Sequence, residues 1–151
     1  MKTKLIVSAC LLGENCKYNG GNNYNSDILK LKTFFELIPV CPEAFGGLEI
    51  PREPCEIRER RVYSKSGEDF TSEFERGAEH TLYIAKECNA PVAILKENSP
   101  SCGCGKIYDG SFSGRLCDGN GITAQLLLDN DIAVFGDSRV KKLIELYGIY
   151  D

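Results

Sequence analysis

Four short apolar runs, separated by longer stretches of helical character, constrain what this 151-residue chain can fold into. The runs are residues 4–10, 38–41, 92–96 and 132–135. Between the first two lies 27–37, where Ile28, Leu31, Phe34 and Phe35 fall near helical spacing behind a capping residue at Ser26 or Asp27. Residues 72–88, opening on Ser72, and 121–129 read as further helices, and 138–147 as a closing one. Parallel strands need such crossover connections, so strict alternation predicts a parallel sheet with helices on its faces. The expected fold is α/β: a single domain over 1–151, Rossmann-like and three-layered, with a mostly parallel sheet of about four strands.

The first three runs each lead into a cysteine. Cys10 closes the first, Cys41 closes the second, and Cys102 stands just past the third. In an open parallel sheet the carboxyl ends of the strands border one crevice, where such folds bind ligands. Three thiolates brought there suggest a metal centre with three protein ligands and one position left for chemistry. Soft thiolates suit iron–sulfur clusters and zinc. The spacing alone leaves open a plainer reading, in which these are small buried apolar side chains at strand ends.

Eight cysteines in a chain whose first apolar run stops at Ser8, too soon for a signal peptide or membrane span, point to a reducing compartment. The cytoplasm is expected, with free thiols or metal ligands rather than a disulfide scaffold. A net charge of −4 offers no basic footprint for nucleic acid or an anionic membrane. No paired C-x2-C or C2H2 spacing signals a zinc finger or ribbon. His80 is the single histidine, far in sequence from the cysteines, and is expected to serve packing on a helix rather than catalysis.

Between the regular elements lie two glycine-rich loops. Residues 13–25 follow the first strand, and 97–120 follow the third with Gly103, Gly105, Gly110, Gly114 and Gly119. A structureless loop of the second length is usually functional. Residues 42–56 are punctuated by Pro and Gly, and 61–71 reads as a hairpin around Ser66 and Gly67. Glu43 stands two residues beyond Cys41, and Ser99 and Ser101 flank Cys102, so a carboxylate and hydroxyls accompany the thiols. A plainer role is also open to each: Glu43 can pair with Arg52 or a helix start, and the serines can bond a turn.

Ordered motifs run nearly end to end: Val7-Ser-Ala-Cys-Leu-Leu-Gly13, Cys16-Lys-Tyr-Asn-Gly20, Cys41-Pro-Glu43, Pro51-Arg52, Gly67-Glu-Asp-Phe-Thr71, Ser99-Pro-Ser-Cys-Gly103, Ile107-Tyr-Asp-Gly-Ser-Phe-Ser-Gly114 and Gly119-Asn-Gly-Ile-Thr-Ala124. In these the chain resembles the bacterial thiouracil desulfurases, a family once listed as a domain of unknown function. The resemblance implies a [4Fe-4S] cluster held by Cys10, Cys41 and Cys102, whose fourth iron takes the sulfur of a thiolated pyrimidine such as 2-thiouracil. It implies Glu43 and Ser101 as catalytic residues, Cys16 as a reserve ligand, and incidental roles for Cys55, Cys88, Cys104 and Cys117. The family commonly has Arg-Tyr-Asp-Gly where this chain has Lys17-Tyr18-Asn19-Gly20, which exchanges a planar fork for a point charge and removes a carboxylate. Two other functions fit the cysteines without the resemblance: a cluster-free persulfide sulfurtransferase using Cys10 or Cys102, and a structural zinc or cluster-sensing module with Cys16 or Cys104 as the fourth ligand.

Overall fold

The structure, a computed structural model, describes residues 2–148. Its main sheet contains β1 (Thr3–Ser8), β2 (Phe35–Val40), β5 (Val92–Leu95) and β8 (Ala133–Gly136) in the order β2-β1-β5-β8, all parallel. The two central strands are buried on both faces, which is why they read as continuous apolar runs rather than alternating ones. On one face Leu5, Val7, Val92 and Ile94 pack with Ile28 and Leu31, and with Leu143 of α5 (Val140–Tyr147). On the other Ile6, Ala93 and Leu95 pack with Ala85 of α3 (Thr71–Glu87) and with Ala124 and Leu127 of α4 (Ile122–Asp129). The fold is therefore α/β with helices in two layers around a four-stranded parallel sheet, as the alternation implied.

Two local expectations are corrected. Residues 27–37 do not form one helix: α1 spans only Ser26–Leu29, a 3₁₀ turn covers Lys30–Thr33, and the chain is already extended at Phe35. Pairing decides this, because starting β2 at Phe35 gives six residues of parallel register with β1, from Thr3 opposite Phe35 to Ser8 opposite Val40. Pro39 is tolerated because β2 is an edge strand. The cap is Asn25, whose side chain accepts the Asp27 N–H at 2.9 Å. The second correction is the hairpin. It joins β3 (Cys55–Arg58) to β4 (Arg61–Ser64) through Glu59 and Arg60, both left-handed at φ 52° and 67°. That two-residue turn lacks the Asn-Gly signature that would have revealed it. The turn at Ser66 and Gly67 also exists, and brings Asp69 back beside Tyr63.

Strand β1 stops at Ser8, and Cys10 lies in a 3₁₀ turn, Ala9–Leu12, rather than on the strand. Within the long loop after β5 a small hairpin forms from β6 (Lys106–Tyr108) and β7 (Leu116–Asp118). Residues 42–56 contain one short helix, α2 (Pro42–Phe45), pressed onto α3. The contact is backbone on backbone: a Cβ added to Gly77 would lie 1.8 Å from the Pro42 carbonyl oxygen, and one added to Gly46 2.0 Å from that of Glu73. His80 packs edge-on against Phe45 at 4.6 Å between ring centroids, the packing role expected of it. Among the described residues no helix is long and apolar enough to cross a membrane.

Candidate active site

A cavity of about 580 Å³ opens at the carboxyl edge of the sheet. The order β2-β1-β5-β8 reverses direction at β1 and β5, so a crevice is expected beyond their ends. Cys10, Cys41 and Cys102 all line it. Cys10 arrives on the turn after β1, Cys41 between β2 and α2, and Cys102 on the turn after β5.

Each sulfur has a polar neighbour. Asn23 donates its amide to Cys10 Sγ at 3.4 Å, and Ser8 donates its hydroxyl to Cys102 Sγ at 3.6 Å while accepting the Lys96 N–H at 3.0 Å. Burial is the main force raising the Cys10 thiol and pushes Cys102 up to about 12; the donors oppose it in both cases. The Cys41 thiol donates to the Cys16 carbonyl at 3.9 Å. It is lowered to about 7, first by the adjoining Cys16 side chain and then, against burial, by the backbone of Ala44. The Cys16 thiol is raised, first by its interaction with Cys41 and then by burial.

Glu43, in the first turn of α2, also faces the cavity. Arg52 donates to its Oε1 from Nε at 3.2 Å and from its terminal nitrogen at 3.0 Å. Arg52 further donates to the carbonyls of Cys16 and Glu49, at 3.2 and 3.0 Å. Both donors to Glu43 reach one oxygen, and no buried side-chain oxygen among the described residues lacks a partner. Oε2 is therefore the oxygen left open to the cavity. Burial raises the Glu43 carboxyl and Arg52 opposes the rise, leaving it above its ordinary value. Glu43 thus both forms the ion pair anticipated with Arg52 and lines the cavity.

Ser101 is not brought to the cavity. Its hydroxyl is fully buried and pairs with that of Thr123 at 2.8 Å. Ser99 lines the cavity instead, and its Oγ accepts the backbone N–H of Ser101 and of Cys102, each at 3.0 Å. Both glycine-rich loops supply walls, the first through Cys16, Lys17 and Tyr18, the second through Tyr108 and Phe112. Lys17 Nζ lies 5.7 Å from the Tyr18 ring centroid, whereas Asn19 turns back to accept the Gly21 N–H at 2.9 Å. Cys55, expected to be incidental, lines the wall, with its thiol pushed up to about 12, chiefly by burial. Cys88 and Cys104 donate to the Ala85 and Val134 carbonyls, and Cys117 is exposed. All eight cysteines are free.

The donor set fits an iron–sulfur group by its chemistry, three soft thiols on one cavity. Sulfurs binding a single zinc at about 2.3 Å crowd within roughly 4 Å of one another. Among the described residues no three Cys, His, Asp or Glu side chains gather to hold such an ion. Three thiols nevertheless line one cavity, and cysteine thiolates are the usual ligands of iron–sulfur clusters.

The site is thus a crevice at the switch point of a parallel α/β sheet, lined by thiols and a carboxylate. The profile of the 2-thiouracil desulfurase family matches residues 5–139, and the chain belongs to that family. It is 41% identical over 150 residues to the uncharacterized protein YbbK of Bacillus subtilis (strain 168), across 93% of this chain and 99% of that one. The fold is similar to the solved structure of the [4Fe-4S]-dependent thiouracil desulfidase TudS, with a TM-score of 0.91 at 40% identity, covering 96% of this chain and 97% of TudS.

Proposed function

We propose that this protein hydrolyses the thiocarbonyl of a free thiolated pyrimidine, 2-thiouracil or a close relative, to the oxo base and hydrogen sulfide. Water adds its oxygen to the thiocarbonyl carbon, the carbon–sulfur bond breaks, and no net oxidation or reduction occurs. The observation that carries this reading is the convergence of three thiols and a carboxylate on one cavity. Cys10, Cys41 and Cys102 would hold a [4Fe-4S] cluster, which when bound supplies an iron without a protein ligand to take sulfur as a Lewis acid. Glu43 accepts the proton of the attacking water at Oε2, while Arg52 keeps Oε1 engaged. Asn23 and Ser8 direct hydrogen bonds at cysteine sulfurs, the kind of contact that tunes a cluster. Cys16 borders Cys41 in the cavity wall, its carbonyl accepting the Cys41 thiol and the Arg52 guanidinium, and serves as a neighbour of the ligands rather than as one. Ser101 is a positioning residue for the turn that carries Cys102, and Ser99 is the hydroxyl within reach of substrate. The cytoplasm would keep these thiols reduced.

Anaerobic reconstitution followed by iron and sulfide analysis tests the assembly. About four of each per chain are expected, with sharp loss on replacing Cys10, Cys41 or Cys102 and retention in Cys16→Ala. Full retention in Cys102→Ala, or stoichiometric zinc in place of iron, overturns the ligand assignment. Glu43→Gln should keep the cluster while sulfide release from 2-thiouracil falls by roughly 10² to 10⁴. Equal rates remove Glu43 from the chemistry.

A further inference from the structure

Phe112 is an aromatic side chain that the core does not use. It joins none of the hydrophobic clusters among the described residues, and it is half-buried while Ser111 and residues 113–118 around it are exposed. Its partner is the cavity, whose wall it forms together with Tyr108. The backbone at Phe112 is left-handed, φ 56°, a conformation uncommon outside glycine and an outlier for so bulky a residue. Strain of this kind persists only where the surroundings impose it.

The surroundings do impose it. Glu56, on β3, is 8% exposed, and its Oε1 accepts the N–H of Phe112 at 3.1 Å and that of Gly110 at 3.0 Å. Gly110, at φ 92°, lets the loop lie against β3: a Cβ there would meet the Ile57 carbonyl oxygen at 2.8 Å. A buried carboxylate is thus committed to holding two main-chain donors of one loop. What that clamp presents to the cavity is a phenyl ring.

We infer that Phe112 is the surface on which the flat ring of the substrate stacks, and that Glu56 is the positioning residue that fixes it there. The inference rests on the desulfuration reading above. A pyrimidine offers few polar edges but two π faces, and an aromatic ring binds such a face whatever the ring substituents. Phe112 therefore selects planar heterocycles over acyclic thiocarbonyl compounds and leaves the choice of sulfur to the thiol side of the cavity.

The test uses the iron-loaded enzyme, with sulfide release from 2-thiouracil giving KM and kcat, and equilibrium dialysis of uracil giving a Kd that needs no chemistry. Phe112→Ala should raise KM and Kd roughly 5- to 150-fold, the effect of losing one aromatic–base stack, with iron content and kcat little changed. Phe112→Tyr keeps the ring and should bind like the natural protein. Glu56→Ala should reproduce the Phe112→Ala defect, whereas Glu56→Gln retains an accepting oxygen and should restore binding. Unchanged KM and Kd in Phe112→Ala overturn the stacking role. Equal damage from Glu56→Gln and Glu56→Ala overturns the positioning role, since a carboxylate acting by its charge would fail in both. A loaded natural enzyme that binds uracil but releases no sulfide refutes desulfuration and leaves the stacking site standing. Failure of that enzyme to bind uracil overturns the stacking site itself.

Discussion

Replacing Gly77 by alanine should destabilise the protein, although the same change in most helices does the opposite. Gly77 lies inside α3, where alanine is ordinarily favoured by about 1 kcal/mol. Here the new Cβ would sit 1.8 Å from the Pro42 oxygen and 2.7 Å from its carbon. These are backbone atoms, which cannot rotate aside as a side chain could. To bring the contact beyond 3.0 Å, α2 must lift from α3 by more than an ångström. Overpacking costs about 1–3 kcal/mol, and a main-chain obstacle belongs at the upper end. Less the helical gain, the net loss is about 2 kcal/mol, or roughly 4–8 °C in Tm for a domain of this size. Because α2 begins beside Cys41 and carries Glu43, iron retention should fall along with the melting point. Circular dichroism melts and iron analysis on identically reconstituted samples measure both. A Gly77→Ala protein as stable as the natural one, or more so, refutes the reasoning.

Arg52→Met should cost about 3 kcal/mol in a urea titration, because it leaves the Glu43 carboxylate and two carbonyls without their donor in a mostly buried setting. A loss under about 1 kcal/mol would mean that water replaces the guanidinium there. Asp69 gives a pH signature: Thr71, first, and Arg61 hold its carboxyl at about 2, below its ordinary 3.8. A lowered folded value contributes stability above the ordinary one, lost as pH falls through the folded one. Acid melts of the natural protein should show that loss between the two, and Asp69→Asn should lack it; superimposable curves would dismiss the contribution.

The sheet was legible in the sequence because β1 and β5 are buried on both faces, so their composition alone marks them. Helix α3 was legible for a different reason, its length. The stretch 27–37 was misread because Ile28, Leu31 and Phe35 fit a helical period while β2 takes its register only from β1, with Thr3 opposite Phe35. No local signal contains that pairing. At the site, the strand-end position of Cys10, Cys41 and Cys102 pointed to one crevice before any coordinates did. What sequence could not separate was Ser99 from Ser101: both flank Cys102, and only the turn geometry sends one hydroxyl to the cavity and the other to Thr123. Cys55, Glu56 and Asn23 lie in unremarkable local contexts and became wall residues only through long-range packing.

The three thiols come from the first, second and third strands of the sheet, in stretches far apart along the chain. No fragment ending before β5 holds the complete set, so a group held by all three could bind only after most of the chain has been made and the central strands have paired. Once received, a group bound at all three points would act as a staple closing two long loops at once. It would restrict the unfolded chain as a cross-link does, while favouring the native state as any ligand specific for it does. Loss of that group would then loosen the termini of β1, β2 and β5 together, making resistance to proteolysis a direct gauge of occupancy.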